Sequence, residues 1–469
     1  MTKRSARFVT GSTWRHVIVM TLTNSVGLMA LFLVDLIDLY FLNLLGEQEM
    51  AASVGFSAQL LFYITALSIG LLIAIGVLVS QRVGAKKIAA ARRIIASSMV
   101  IAFILVATVS TVLMIYLSDI LQLLGAQDRT LALAITYSSI LLPSGVLMVM
   151  AMIASAVLRA VGDAKRSMHA TLLAAAINLL FDPILIFALD MGIAGAAWAS
   201  VLSRLAMAVY AIYCIISIHD MLIRPTLRGI ASDFIDIAKL AGPSMLTNLA
   251  TPIGSTFVMT AIARYGDAAV AAYATIGRII PVAFSVLFAL SGAISPIIGQ
   301  NYGAGAFDRV KTTYRNAIIF ATGVVLLIAL IVYTGQGYLI SLFNLSGEAA
   351  QLLTLFCSGL TLFFIADGIL FCTNSAFNSL GFPLYSTLFN YAKFFLGVIP
   401  SVYILSYYYG AKGVIIGQAI GPVFITIIAV ITCHRIIYRV SHGEIGNPPR
   451  RKGFTRPPLW STSSSKTQV

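Results

Sequence analysis

Four carboxylates stand inside long apolar runs of this sequence: Asp35, Asp38, Asp182 and Asp367. An ionisable group in such surroundings is costly and marks a functional site unless a partner neutralises it. Asp35 and Asp38 lie three residues apart in LVDLIDLYFL. On a helix they share a face, with Cβ atoms roughly 5–6 Å apart. Two carboxylates so close in a low dielectric do not both ionise cheaply and titrate as one coupled unit. A proton-coupled carrier needs that behaviour. The alternative is a structural pair that faces a wet cavity or is neutralised by a base such as Arg204. Asp182 sits in AINLLFDPILIF, with Asn178 four residues earlier on the same face. Pro183 removes an amide and clashes with the carbonyl of Leu179, so the helix should bend there. Carboxylate, amide and loosened carbonyl together make an all-oxygen cation site; a neutral Asp182 bonded within the bundle is the alternative. Asp367, in FFIADGILF, has no acidic neighbour in its segment. It is either a second cation or substrate contact or the structural partner of Lys393. Arg204, Arg278 and Lys393 read as partners or snorkelling side chains.

Other chemistries find no support. The five histidines lie at segment ends or in polar stretches, which argues against a histidine proton relay. HExxH, CxxC, the phosphate loop GxxxxGK[ST] and GxSxG are all absent from the sequence. Cys214, Cys357, Cys372 and Cys433 fall in or beside apolar stretches and read as packing residues. The reading is a protein that is not an enzyme, holds no cofactor or structural metal, and draws energy from an ion gradient.

The elements that must position these groups follow from composition. Of 469 residues, 59% are hydrophobic and 10% charged, with a mean hydropathy of +0.94. Soluble domains carry roughly 45–50% apolar and about 25% charged residues. A soluble enzyme, a nucleic-acid-binding module and a disordered chain are all excluded. Spans of about 20 apolar residues fall near 16–42, 51–80, 94–117, 131–157, 168–188, 192–218, 235–261, 269–298, 314–341, 350–377, 384–406 and 412–438. Of 31 Lys and Arg, 25 lie at the termini and in alternate loops, three in the opposite loops (Arg129, Arg264, Lys412), and three within spans. That asymmetry places both termini in the cytoplasm. The basic start MTKRSARFVTGSTWR lacks the short apolar core of a cleaved signal peptide.

The halves repeat. Gln81, Gly84 and Ala85 match Gln300, Gly303 and Ala304, an offset of 219 (300 against 81). Gly46 with Ala51–Ala52 matches Gly266 with Ala271–Ala272, and Gly192 and Gly195 match Gly410 and Gly413. The expected fold is therefore all-α: twelve transmembrane helices as two six-helix bundles related by a pseudo-two-fold along the membrane normal. A cytoplasmic N-terminus (1–15) precedes one lobe (16–218), a polar linker (219–234), a second lobe (235–439) and a basic tail (440–469) that should stay disordered. Such a duplication puts a substrate site between the lobes near mid-membrane.

These residues resemble the multidrug and toxic compound extrusion (MATE) family across nearly the whole chain. The resemblance rests on Asp38 followed by Gly46 and Ala51–Ala52; on SQRVGAKK (80–87) and its repeat GQNYGAGAFDR (299–309); on LRAVGDAKRSM (158–168); and on NLLFDP (178–183) leading into MGIAGAAWAS (191–200). AGPSMLTNLATP (241–252) and RYGDAAVAAY (264–273) fit as well. The resemblance is closest to the DinF-like branch. It implies an antiporter that exports organic cations in exchange for H+ or Na+, from a bacterial inner membrane, as a monomer that binds small cationic molecules and lipid but no nucleic acid. It implies a cation-coupling site at Asp38, Asn178 and Asp182, with Ser200 as a hydroxyl ligand; Na+ would sit at the first three. Asp35 is an added carboxylate. Thr23 stands where the family often has a proline, and Gly27 can supply the bend instead. In the NorM-like branch a seventh-helix glutamate falls near Asn248 and a tenth-helix aspartate near Asp367, so these two are candidate substrate or second-lobe contacts. A lipid-linked sugar flippase is the rival reading; such proteins commonly carry fourteen spans and a cationic cavity.

Overall fold

The structure is a computed structural model that describes residues 6–44 and 48–445, without the side chains of a few residues in and around the end of the first helix, Asp35 among them. In a bilayer every backbone N–H and C=O must bond internally, so apolar stretches of this length fold as helices. Among the described residues, ten stretches are long and apolar enough to cross a membrane. A bent pair, Asp267–Ala283 and Ser285–Gly303, makes an eleventh, with 45° between its halves. The 59-residue stretch Pro383–Ser441 supplies one more by folding back on itself.

We number the spans α1 (Thr13–Leu44), α2 (Gln48–Gly84), α3 (Ile88–Ile115), α4 (Asp128–Ala160), α5 (Ala164–Ala188), α6 (Gly192–Ile218), α7 (Leu227–Ala263), α8 (267–303), α9 (Phe307–Leu342), α10 (347–379), α11 (383–409) and α12 (411–441). The fold-back sits at Gly410, whose φ of 59° and ψ of −136° leave the helical region. The returning helix then packs tightly on the outgoing one. A Cβ on Gly413 would lie 2.0 Å from the Leu405 carbonyl oxygen, one on Gly417 2.6 Å from Val402, and one on Gly421 2.7 Å from Val398. The partner number falls as the glycine number rises, which is the signature of an antiparallel hairpin sewn by small residues.

Three elements differ from the sequence reading. α8 is one segment by hydropathy, yet it breaks at Phe284, three residues after Pro281. α10 is interrupted by a tight turn at Leu360–Phe363. α7 begins at Leu227, inside the expected linker, because Thr226 caps it: its side chain accepts from the Gly229 amide at 3.2 Å.

Buried apolar side chains form two main clusters. One gathers residues between Ala6 and Ala241. The other lies between Ala250 and Val440, together with Phe8, Val17, Met20 and Ala164. Outward-facing Leu180, Leu330 and Leu396, each more than half exposed, present the apolar girdle that lipid covers.

The basic-loop ends of α2 and α8 meet in a reciprocal contact. A Cβ on Gly84 would fall 2.0 Å from the Gln300 carbonyl oxygen, and one on Gly303 2.0 Å from that of Gln81. The glutamine side chains cross in the same paired manner: Gln81 Nε2 donates to Ser379 O at 2.8 Å, and Gln300 Nε2 to Ala160 O at 2.7 Å. The repeat that marks the duplication in sequence is thus the seam itself. The start of the chain is strapped across it. Phe8 N donates to Gln300 Oε1 at 3.0 Å, and Arg309 Nη2 donates to Phe8 O at 2.7 Å.

Candidate functional site

Asp38 comes from α1, and Asn178 and Asp182 from successive turns of α5. α1 and α5 approach closely because Gly27 has no side chain; a Cβ there would meet Thr171 Oγ1 at 2.1 Å. Asp182 is fully buried and Asn178 is 7% exposed. The Asp38 carboxyl and the Asn178 amide both face the Asp182 carboxylate closely enough to interact. Neither Asp182 oxygen, nor the Asn178 amide nitrogen, has a hydrogen-bond partner in good geometry. Buried polar atoms normally find partners, and leaving one without costs about 1–3 kcal/mol. Such a cost persists where a proton, a cation or a substrate is taken up.

Local sequence explains how the helix runs past this cluster. After Pro183 the helix continues as a wider turn over Ile184–Ala188, with Leu189 N donating to Ile184 O at 2.9 Å. Pro183 cannot donate to Leu179 O, so the strand of bonds beside Asp182 is interrupted as expected. α6 closes against that turn through Gly195, where a Cβ would lie 2.6 Å from the Leu185 carbonyl. Phe187 of the wide turn meets Phe41 of α1 edge-on, ring centroids 6.1 Å apart.

The remaining sequence candidates are placed as follows. Asp35 is in α1, three residues before Asp38, but its side chain is outside the described residues. Ser200 is half-buried on α6; its carbonyl accepts from Ser203 at 2.9 Å, and no bond joins its hydroxyl to Asp38, Asn178 or Asp182 among the described residues. Arg204 donates to Ser144 Oγ at 2.7 Å and Leu141 O at 3.3 Å on α4. Asn248 turns onto its own helix, donating to Ser244 O at 2.8 Å. Asp367 and Lys393 are bonded to each other at 2.6 Å, side chains 16% and 12% exposed. Of the readings left open in sequence, the ion pair is the one formed.

Sequence reasoning missed a second feature. On the face away from the Gln81–Gln300 seam, a cavity of about 410 Å³ opens between α2, α7 and α8. Gln59, Ser255, Thr256, Thr260 and Tyr273 line it. The Tyr273 hydroxyl accepts from Gln418 at 3.3 Å. Deeper in, α2 and α7 converge at Gly70, where a Cβ would lie 2.4 Å from the Met245 side chain. The halves therefore meet backbone to backbone on the side of the basic loops, and this cavity opens between them on the other. A scatter of neutral polar residues across three spans leaves no linear signal.

Among the described residues, twelve spans in two repeats, a buried acidic cluster in the first and a cavity between them define a membrane transporter. The MatE family profile matches residues 25–184 and again 243–404, and the chain belongs to that family. The two matches begin 218 residues apart (243 against 25), the spacing of the internal repeat. The FAD transporter of Shewanella oneidensis is 27% identical over 431 residues, covering 90% of this chain and 93% of that protein. The multidrug export protein MepA of Staphylococcus aureus is 25% identical over 304 residues, 63% of this chain and 66% of its own length. Among solved structures, the Vibrio cholerae MATE transporter VcmN in its bent form superposes with a TM-score of 0.86 at 27% identity, covering 92% of this chain and 99% of that one. A transporter of the MOP superfamily from Pyrococcus furiosus shares the fold, with a TM-score of 0.88 at 23% identity over 94% of this chain and 99% of that one.

Proposed function

We propose that the protein is a secondary antiporter of the DinF-like branch that expels organic cations in exchange for protons, with Na+ as the alternative coupling ion. The observation that carries this reading is the buried Asp182 carboxylate, faced by Asp38 and Asn178, with both its oxygens and the Asn178 amide nitrogen lacking a hydrogen bond in good geometry. A proton or Na+ on the pair satisfies one access state. A cationic substrate competes for the same negative charge. The lobes, 16–218 and 227–439, rock about the connection 219–226, and the cavity lined by Gln59 and Tyr273 is the entrance on one side. Both termini face the cytoplasm of a bacterial cell, the chain works as a monomer, and Asp35 and Ser200 complete the coupling site.

A second reading concerns cargo. The Shewanella relative, aligned over 90% of this chain, is named for an anionic dinucleotide. Arg278, exposed one turn beyond cavity-lining Ala274 on α8, could meet such a phosphate. Proteoliposomes driven by a pH gradient alone, then by a Na+ gradient alone, separate these readings when given a fluorescent organic cation and, in parallel, FAD. Cation exchange supports the main reading and FAD exchange the second. Silence of both cargoes under both gradients overturns antiport and returns the flippase to consideration.

A further inference from the structure

On the side of the basic loops, a cavity of about 310 Å³ lies between the start of α3 and the connection into α7. Ala89, Ala90, Arg93 and Ser97 form one wall, and Arg224 and Thr226 the other. Behind the first wall, Arg93 donates to Asp233 of α7 through Nη2 at 2.8 Å and Nε at 3.1 Å, and Ser97 donates to the same carboxylate at 2.9 Å. Asp233 is buried, but the Arg93 side chain stays 49% exposed, so its guanidinium still presents an open face. Arg224 has no acidic partner among the described residues. Arg93 shares its charge with Asp233 and, at longer range, with Asp236, which is itself paired with Arg82, so Arg224 brings the uncompensated positive charge to this cavity.

Two further features raise its affinity for an anion. Lys87 gives no side-chain cap to α3, and Ala89 and Ala90 of its first turn line the cavity. The positive end of that helix dipole adds to the two arginines. Beside the opening, Ile223 is 40% and Leu227 87% exposed. Apolar side chains left bare next to arginines suit the boundary between headgroups and acyl chains, not open water.

We propose that this cavity is a binding site for the phosphate of an acidic phospholipid in the leaflet on the basic-loop side. The phosphodiester sits between Arg93 and Arg224, and the acyl chains run over Ile223 and Leu227. Free phosphate shares the headgroup chemistry, but it makes no use of the exposed apolar pair. The occupant bridges α3 to the connection between the two halves, next to the Arg93–Asp233 pair that already joins them.

The test uses the full chain purified in a neutral detergent and titrated with phosphatidylglycerol, phosphatidylcholine or inorganic phosphate, with bound lipid counted by native mass spectrometry. Wild-type protein should retain phosphatidylglycerol in preference to phosphatidylcholine. Arg224→Gln should weaken that retention by about fivefold, the effect of one arginine near an anionic surface. Arg228→Gln, an exposed neighbour that does not line the cavity, should change it less. Because Arg224 is exposed, the variant should melt with wild type when lipid is absent, which separates lost binding from lost folding. Equal retention of phosphatidylglycerol by wild type and Arg224→Gln would overturn the proposal. So would inorganic phosphate displacing the lipid at equal concentration, which would assign the cavity to a soluble anion.

Discussion

Replacing Asp182 by asparagine isolates charge from shape. The side chain is fully buried, its oxygens lack good partners, and the substitution keeps the same number of heavy atoms. No cavity forms, so stability should change by no more than about 1 kcal/mol. Coupling, by contrast, should vanish. A pH difference of one unit is worth about 1.4 kcal/mol per proton, which sustains about a tenfold concentration ratio of substrate across the membrane at one proton per turnover. If the Asp38–Asp182 pair carries two protons, the ratio rises to about a hundredfold. The assay is steady-state accumulation of a fluorescent organic cation in proteoliposomes, held at one unit of pH difference. Wild type should reach the tenfold or hundredfold plateau. Asp182→Asn should settle at a ratio near one, with melting unchanged. An Asp182→Asn protein that still holds the wild-type plateau would refute the assignment of this carboxylate to coupling. A collapse of folding would show that the buried acid is structural.

Three further outcomes follow from the packing. Gly303→Ala would drive a methyl against the Gln81 carbonyl and should lower stability by about 1–3 kcal/mol, whereas Gly323→Ala, with open space around it, should be neutral or slightly stabilising in the same thermal melt. Lys393→Met leaves the partly buried Asp367 without its partner and should cost about 1–3 kcal/mol, while Lys393→Met with Asp367→Leu should recover most of the loss; a double variant no better than the single would show that the pair does more than neutralise itself. Burial pushes the Asp163 carboxyl up, but bonds from His219 at 2.8 Å and from Arg166 outweigh it and hold it below the usual carboxylate range. Its stabilising contribution is therefore present above the unfolded value of about 4 and is lost as pH falls through the lower folded value. Asp163→Asn should melt earlier than wild type at pH 7, with the gap closing as pH drops below about 4.

Much of the arrangement is legible in the residues. A charge inside an apolar run is conspicuous, so Asp38 and Asp182 stand out, and the four-residue step from Asn178 puts the amide on the same helix face. The family profile falls on both halves at the spacing that Gln81 and Gln300 already announce. What a linear reading cannot supply is which side chains meet across helices. Lys393 and Asp367 are 26 residues apart, and only the turn between α10 and α11 brings them together. The glycines of SQRVG and GQNYG stand out in sequence only as a repeated motif; their mutual contact appears when both repeats are folded. The break of α8 at Phe284 escapes hydropathy because both halves are equally apolar. The cavity walled by Gln59, Ser255 and Tyr273 escapes because neutral polar residues are common along any span.

The central claim is that substrate and coupling ion compete for the carboxylates of α1 and α5. The most direct measurement is the pH of a weakly buffered, Na+-free solution of purified protein as an organic cation is added. Protons should be released in step with binding, and none should be released by Asp182→Asn. Saturable binding with no proton release, and no displacement of the bound cation by added Na+, would contradict it.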